Sequence, residues 1–212
     1  MISVLVANTK GGCGKTTIAT HIAAAFATRG LRTALADADR QGSSLGWLGR
    51  RPITAAPIGA VDWTDDVDKL PKGIDRLVID GAASMKRKGT HELIRMADVI
   101  VVPVLPSVWD QGATEGFLAD LQTLKPIRKN RKPVAVIRNR VRPRSKAAQR
   151  LDDFLARVEH HDLGALPDRA VYDEVAAEGL SLFDLGGIRA AVLRRDWHHL
   201  LGYVDEPEAI AA

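Results

Sequence analysis

The stretch Asn8-Thr9-Lys10-Gly11-Gly12-Cys13-Gly14-Lys15-Thr16-Thr17 stands between an apolar run, Ser3-Val4-Leu5-Val6-Ala7, and a segment whose Ile18, Ile22, Ala25 and Phe26 recur at helical spacing. A glycine-rich turn joining a buried strand to a helix leaves few folds open, because its backbone N–H groups must turn inward together. The end of the Gly-x-x-x-x-Gly-Lys-Ser/Thr pattern is present, its first glycine is absent, and extra glycines stand at 11 and 12. Gly11, Gly12, Cys13, Gly14, Lys15, Thr16 and Thr17 are therefore expected to cradle the phosphates of a nucleotide. The helix N-terminus adds roughly half a positive charge at the same place. Lys15 is expected on the β- and γ-phosphates and the Thr16 hydroxyl on Mg²⁺. Lys10 has no place in that pattern, and taken alone it reads as an exposed loop lysine.

Short β-rich runs then alternate with longer helical stretches along the 212 residues. This is the rhythm of an α/β fold: a mostly parallel twisted sheet flanked by helices on both faces. Strands are expected over 3–7, 33–37, 77–80, 99–104 and 134–138, whose Val/Ile/Leu content suits burial on both sides. The first helix should run from Gly14 to Gly30, with further helices over 92–97, 113–125, 145–158 and 187–203. In the last of these Leu193, Trp197, Leu200, Leu201 and Val204 form one stripe, while Arg194, Arg195 and His198 fall off it and should face solvent. A single domain spanning 1–212 is expected, with 205–212 a frayed tail.

Two further acidic features belong with the phosphate loop. Asp37 and Asp39 close the second strand, on one side of it by the period of two. Leu77-Val78-Ile79-Asp80 is an apolar strand ending in a carboxylate, the Walker B pattern. Asp80 would reach Mg²⁺ through water, since that ion keeps much of its hydration shell. For Asp37 and Asp39 the plainer alternative is a pair of turn or helix-cap aspartates.

Net charge is only +4, yet no acidic residue occurs between Asp120 and Asp152, an interval holding eleven Lys and Arg. The rest of the chain is therefore net acidic. Such asymmetry points to a polyanionic partner, and a solvated basic face is the alternative. One cysteine allows no internal disulfide, and the start of the chain shows no basic leader. A soluble cytoplasmic protein is the expectation. The adjacent pairs His160-His161 and His198-His199 splay by about 100° on a helix, poor geometry for a shared metal. Trp47, Trp63, Trp109 and Trp197 read as packing or interface residues, Trp109 being the one placed to meet a partner.

Lys10-Gly11-Gly12-Cys13-Gly14-Lys15-Thr16-Thr17 resembles the deviant Walker A motif of the ParA/MinD family of P-loop ATPases. Leu35-Ala36-Asp37-Ala38-Asp39-Arg40-Gln41 is similar to that family's Asp-x-Asp-Pro-Gln segment, with Arg40 in place of the proline. The resemblance extends through residues 97–110, Val136-Ile137-Arg138-Asn139-Arg140, Leu166-Pro167-Asp168-Arg169 and on to Phe183, and is weaker after Asp110. It departs after Asp80, where Gly81-Ala82-Ala83-Ser84 replaces the usual prolines. It implies ATP and Mg²⁺ as cofactors and a homodimer that sandwiches ATP. Lys10 would then reach the partner's phosphates in trans, as an arginine finger does. It further implies catalytic roles for Lys10, Lys15 and Asp39, the last orienting the attacking water. Thr16, Asp37 and Asp80 would surround the metal, Asn139 would recognise adenine, and Pro167 and Asp168 would supply backbone around the base. Residues 103–110 would be switch or interface material.

The function implied is a ParA-like partition protein: an ATP-clamped dimer that binds DNA without sequence preference and is released when a ParB-like or cargo-adaptor protein stimulates slow hydrolysis. Lys146, Arg150, Arg189, Arg194 and Arg195 are the expected DNA contacts, giving affinity without base readout and a nucleoid-associated location. A MinD-like membrane switch is the alternative. Asp205-Glu206-Pro207-Glu208 argues against it, being acidic and proline-broken where a basic amphipathic helix is needed. A small-molecule ligase or kinase on the same fold is a third reading, and Lys10 weighs against it. The iron–sulfur reductases that share the motif need thiolates beyond Cys13.

Overall fold

The computed structural model describes residues 1–67, 72–83, 87–129 and 131–206. Apolar runs become strands β1 (Ile2–Val6), β2 (Thr33–Asp37), β4 (Arg76–Asp80), β5 (Val99–Val104) and β6 (Val134–Val141), with edge strands β3 (Ile58–Asp62) and β7 (His161–Pro167). Among the described residues they form one seven-stranded sheet in the order β3-β2-β4-β1-β5-β6-β7, and every pairing is parallel. All strand C-termini therefore open on one edge, where an open α/β sheet places its ligand.

Alternate residues divide the core between the two faces. Leu5, Leu77, Ile79, Ile100 and Val102 pack under α3 (Arg87–Met96), α4 (Val108–Gln122) and α6 (Lys146–Leu155). Val4, Val6, Val78, Val99 and Val101 pack under α1 (Lys15–Thr28), α2 (Ser43–Arg50) and the C-terminal helices. β5 carries Pro103 without loss. β1 pairs with it only as far as Val101, and the Pro103 carbonyl is taken by the Asn8 side chain instead, at 2.8 Å.

α1 starts at Lys15 and closes as expected at Gly30, whose φ of 83° lets Leu31 N–H return to the Phe26 carbonyl. The expected last helix is broken into α8 (Gly187–Arg194), a 3₁₀ turn (Arg195–Trp197) and α9 (His198–Asp205), yet its stripe is correct: Trp197, Leu200 and Val204 are buried. α5 (Lys125–Arg128) and α7 (Val171–Ala177) complete the set. The expected fraying does not begin at 205, because Asp205 holds Arg29 at 2.6 Å and Arg76 at 2.7 Å. The remainder of that tail, 207–212, lies outside the described residues, as does Ser84.

Candidate functional site

The strand register sets Val6, Asp80 and Asp37 side by side on β1, β4 and β2. This brings the phosphate loop, which leaves β1, next to both strand-end carboxylates. Gly81 follows Asp80 because β4 there meets β1 at close range: a Cβ on it would lie 2.9 Å from the Val6 carbonyl oxygen. That contact gives a physical reason for glycine at the first of the positions that depart from the family pattern.

Within the loop Gly12 and Gly14 take φ of 78° and 94°, the left-handed region that glycine enters without strain. Lys15 is buried, and its Nζ donates to the Lys10 carbonyl at 3.1 Å. The Cys13 thiol donates to the same carbonyl at 3.2 Å. Burial pushes that thiol up, against the opposing Lys15 charge, so Cys13 is a protonated packing residue and not an activated thiolate. Lys10 is half-exposed and Gly11 and Gly12 are exposed, so the loop's outer rim is open to a large ligand or partner.

Asp80 is buried, with Oδ2 accepting from the Ser44 hydroxyl at 2.6 Å and Oδ1 lacking a hydrogen-bond partner. Burial raises its pKa to about 6, opposed by the Ser44 and Thr16 hydroxyls. An orphaned carboxylate oxygen near a threonine hydroxyl is the donor set a hydrated divalent cation takes up. Thr16 and Asp80 thus fit the expected metal. Asp37 lies beside Asp80 in the strand register and also serves the backbone around it. Its Oδ1 accepts from Asp39 N–H (3.0 Å), and its Oδ2 accepts from Ser44 and Leu45 N–H (2.7 and 3.1 Å). It caps the N-terminus of α2, the helix-cap role its position also allowed. Among the described residues no three His, Cys, Asp or Glu converge as metal ligands. Asp39 is half-exposed, its Oδ1 accepting from Gln41 N–H at 3.1 Å.

On the other flank Asn139, the expected base contact, donates from Nδ2 to the Cys13 carbonyl at 2.8 Å, and its Oδ1 accepts from Arg140 N–H at 3.0 Å. Pro167 ends β7 opposite Val141, and Asp168 pairs with Arg142 at 2.9 Å, so both sit at the same sheet edge as Asn139. The sequence reading missed Asn8. It is buried, sends Nδ2 to the Pro103 carbonyl and the Thr114 hydroxyl (2.8 Å each), and accepts from Lys10 N–H at 3.3 Å. A buried position beside a glycine loop was the available signal. Asp110 is also buried with an unpartnered Oδ1, while its neighbours Val108 and Trp109 are exposed, Trp109 to 82%. Of the basic candidates, Lys146, Arg150, Arg189 and Arg195 are exposed. Arg194 is partly buried, and its Nη1 donates to the Leu185 carbonyl at 3.1 Å.

A parallel sheet, a glycine-rich loop opening onto a helix N-terminus and a strand-end carboxylate beside it define a P-loop NTPase. The family model described as "CobQ/CobB/MinD/ParA nucleotide binding domain" matches residues 4–182, and the chain belongs to that family. A relative from Halothiobacillus neapolitanus, maintenance of carboxysome distribution protein A, is 36% identical over 196 residues, covering 87% of this chain and 88% of the relative. Among solved structures, the McdA–ATP complex of Cyanothece superposes with a TM-score of 0.74 at 16% identity, over 99% of this chain and 96% of that one. The MinD cell division protein of Aquifex aeolicus gives 0.71 at 17%, over 95% and 98%. Among the described residues no helix is long and apolar enough to cross a membrane.

Proposed function

We propose that the chain is an ATP-hydrolysing, dimerising switch of the ParA type that positions a cargo over DNA. The observation that carries the reading is the phosphate loop with two lysines in different settings: Lys15 buried inside it and Lys10 half-exposed on its rim. Lys15 and the inward N–H groups hold the triphosphate, and Lys10 completes the site of a second copy, stabilising charge as the γ-phosphoryl leaves. Thr16 and Asp80 hold Mg²⁺, which when bound neutralises phosphate charge as a Lewis acid. Asp39, half-exposed, orients the attacking water. Asp37 acts on this site through α2 and Ser44. Lys146, Arg150, Arg189 and Arg195 supply sequence-independent DNA affinity. The 36% identical relative is a maintenance of carboxysome distribution protein, which supports a large protein assembly as the cargo. A cargo adaptor would then be the partner that accelerates hydrolysis.

Sedimentation and DNA retention with ATP, with ADP and without nucleotide test the reading. Dimer and DNA binding should appear with ATP alone and weaken steeply with salt, and Asp39→Ala should accumulate as a DNA-bound dimer. DNA binding that ignores both nucleotide and salt would sink it.

A further inference from the structure

We propose that the outer edge of β3 docks an extended, basic peptide segment of a partner protein as an added strand. β3 ends the sheet, and among the described residues nothing pairs with its outer side. Which backbone groups this leaves open follows from one hydrogen bond. Trp63 N–H donates to the Asp37 carbonyl at 2.9 Å, so position 63 turns its N–H towards β2. Successive residues of a strand send their peptide groups to opposite sides, so positions 61 and 59 face β2 as well. Ile58, Ala60 and Asp62 therefore turn N–H and C=O outward, and none of these groups has a hydrogen-bond partner among the described residues.

Sheet edges are ordinarily guarded against such pairing by a lysine, a proline or a bulge. Ile58-Gly59-Ala60-Val61-Asp62 has none of these, its one charge stands at its last position, and its register with β2 is unbroken. Gly59 and Ala60 are exposed and too small to screen the backbone, and Ile53, on the segment leading into the strand, is fully exposed. Such an edge is a template for strand addition, in which main-chain bonds supply the affinity. Charge selects the occupant. Residues 52–67 contain Asp62, Asp65 and Asp66, all exposed, and no lysine, arginine or histidine. A second copy would bring the same acidic stretch with no base to meet it, whereas a strand ending in lysine or arginine complements it. Asp62 stands opposite Asp37 in the register, so the acidic end of β3 lies at the sheet's ligand edge and the added strand runs up to the site described above.

The surface is separate from the phosphate loop, so its test is run without nucleotide, and its failure leaves the reading above untouched. Random peptides long enough to span the strand are displayed on phage and selected on the immobilised full chain. Enriched sequences are then measured as synthetic peptides by fluorescence anisotropy. They should be basic, rich in β-branched residues, and weakened by added salt. Ala60→Pro removes one outward N–H and leaves the bonds to β2, so the fold should persist while peptide affinity falls on the order of tenfold. Should the proline impair folding, Ala60→Lys is read in the same way, because it guards the edge and repels a basic strand. Asp65→Asn combined with Asp66→Asn should weaken binding and flatten its salt dependence. Peptides that bind the folded Ala60 variants as tightly as wild type, enrichment of acidic peptides, or no enrichment above background overturns the proposal. So does self-association of the wild-type chain that Ala60→Pro abolishes, since it assigns the edge to a second copy.

Discussion

His21, one turn beyond the phosphate loop on α1, sets a pH dependence that the structure allows to be worked out. The ring is fully buried, stacked on Trp197 at 4.8 Å, with Tyr172 and Phe183 at its edges. Nδ1 lies 2.8 Å from the Thr17 carbonyl and must donate, while Nε2 accepts the Leu182 N–H at 3.4 Å. Only the neutral ring with its proton on Nδ1 satisfies both, since a proton on Nε2 would face another N–H. Burial accordingly lowers its pKa from 6.5 to about 4, against the pull of the Thr17 carbonyl. Between those values the unfolded chain binds the extra proton, so this contribution to stability is complete above pH 6.5 and is lost as pH falls towards 4. The gap corresponds to roughly 3 kcal/mol in full, and roughly 2 kcal/mol at pH 5. Asp80 acts in the opposite sense: raised from 3.8 to about 6, it costs stability above that window and gives it back on acidification. Asp80 therefore offsets part of the histidine's acid loss in the wild-type curve. Urea unfolding of wild type and His21→Gln at a series of pH values isolates it. The wild-type advantage at pH 7 should shrink by roughly 2 kcal/mol at pH 5. A difference that stays constant from pH 7 to pH 4.5 would refute the assignment of a buried neutral His21.

Arg51→Met should destabilise the chain by about 3–5 kcal/mol in chemical denaturation, because it strands the Asp184 carboxylate, whose salt bridge is 2.6 Å long and nearly solvent-free. Adding Asp184→Leu to it should recover much of that loss. Gly179→Ala should lower the thermal midpoint by several degrees, since its Cβ would stand 2.4 Å from Arg51 N at a φ of +69°. Lys15→Ala should abolish nucleotide binding in calorimetry while Lys10→Ala retains it but fails to dimerise. A dimeric Lys10→Ala would remove the trans-lysine assignment.

What could be read from the sequence was what needs no partner to be recognised. β1, β2, β4 and β5 are uninterrupted apolar runs, and the loop between β1 and α1 carries its chemistry in adjacent residues. β3 escaped because Ile58-Gly59-Ala60-Val61-Asp62 is a short edge strand with a glycine inside it. β7 escaped because it contains Gly164 at φ 87° and pairs with β6 through register shifts. α2, with two glycines and no clear stripe, is held by tertiary contacts: Asp37 at its start and the Trp47 Nε1–Leu180 carbonyl bond near its end. The same reason governs the site. Loop and Walker B residues were legible, whereas the bonds of Asp37 to α2 and of Asn139 to Cys13 depend on which neighbours the fold brings within reach.

α2 is also where two distant stretches of sequence are joined. At its C-terminal end Arg50 and Arg51 donate to the carbonyls of Ala176 and Gly179, Arg51 pairs with Asp184, and its guanidinium lies 5.1 Å over Trp47. Gly179 fits only because it has no side chain to push against residues 50 and 51. Positions 47–51 and 176–184 therefore form one inheritable block, and a substitution in either is weighed against the other. A chimera that takes its C-terminal third from a relative must take that relative's α2 as well, or it will join two halves of different locks.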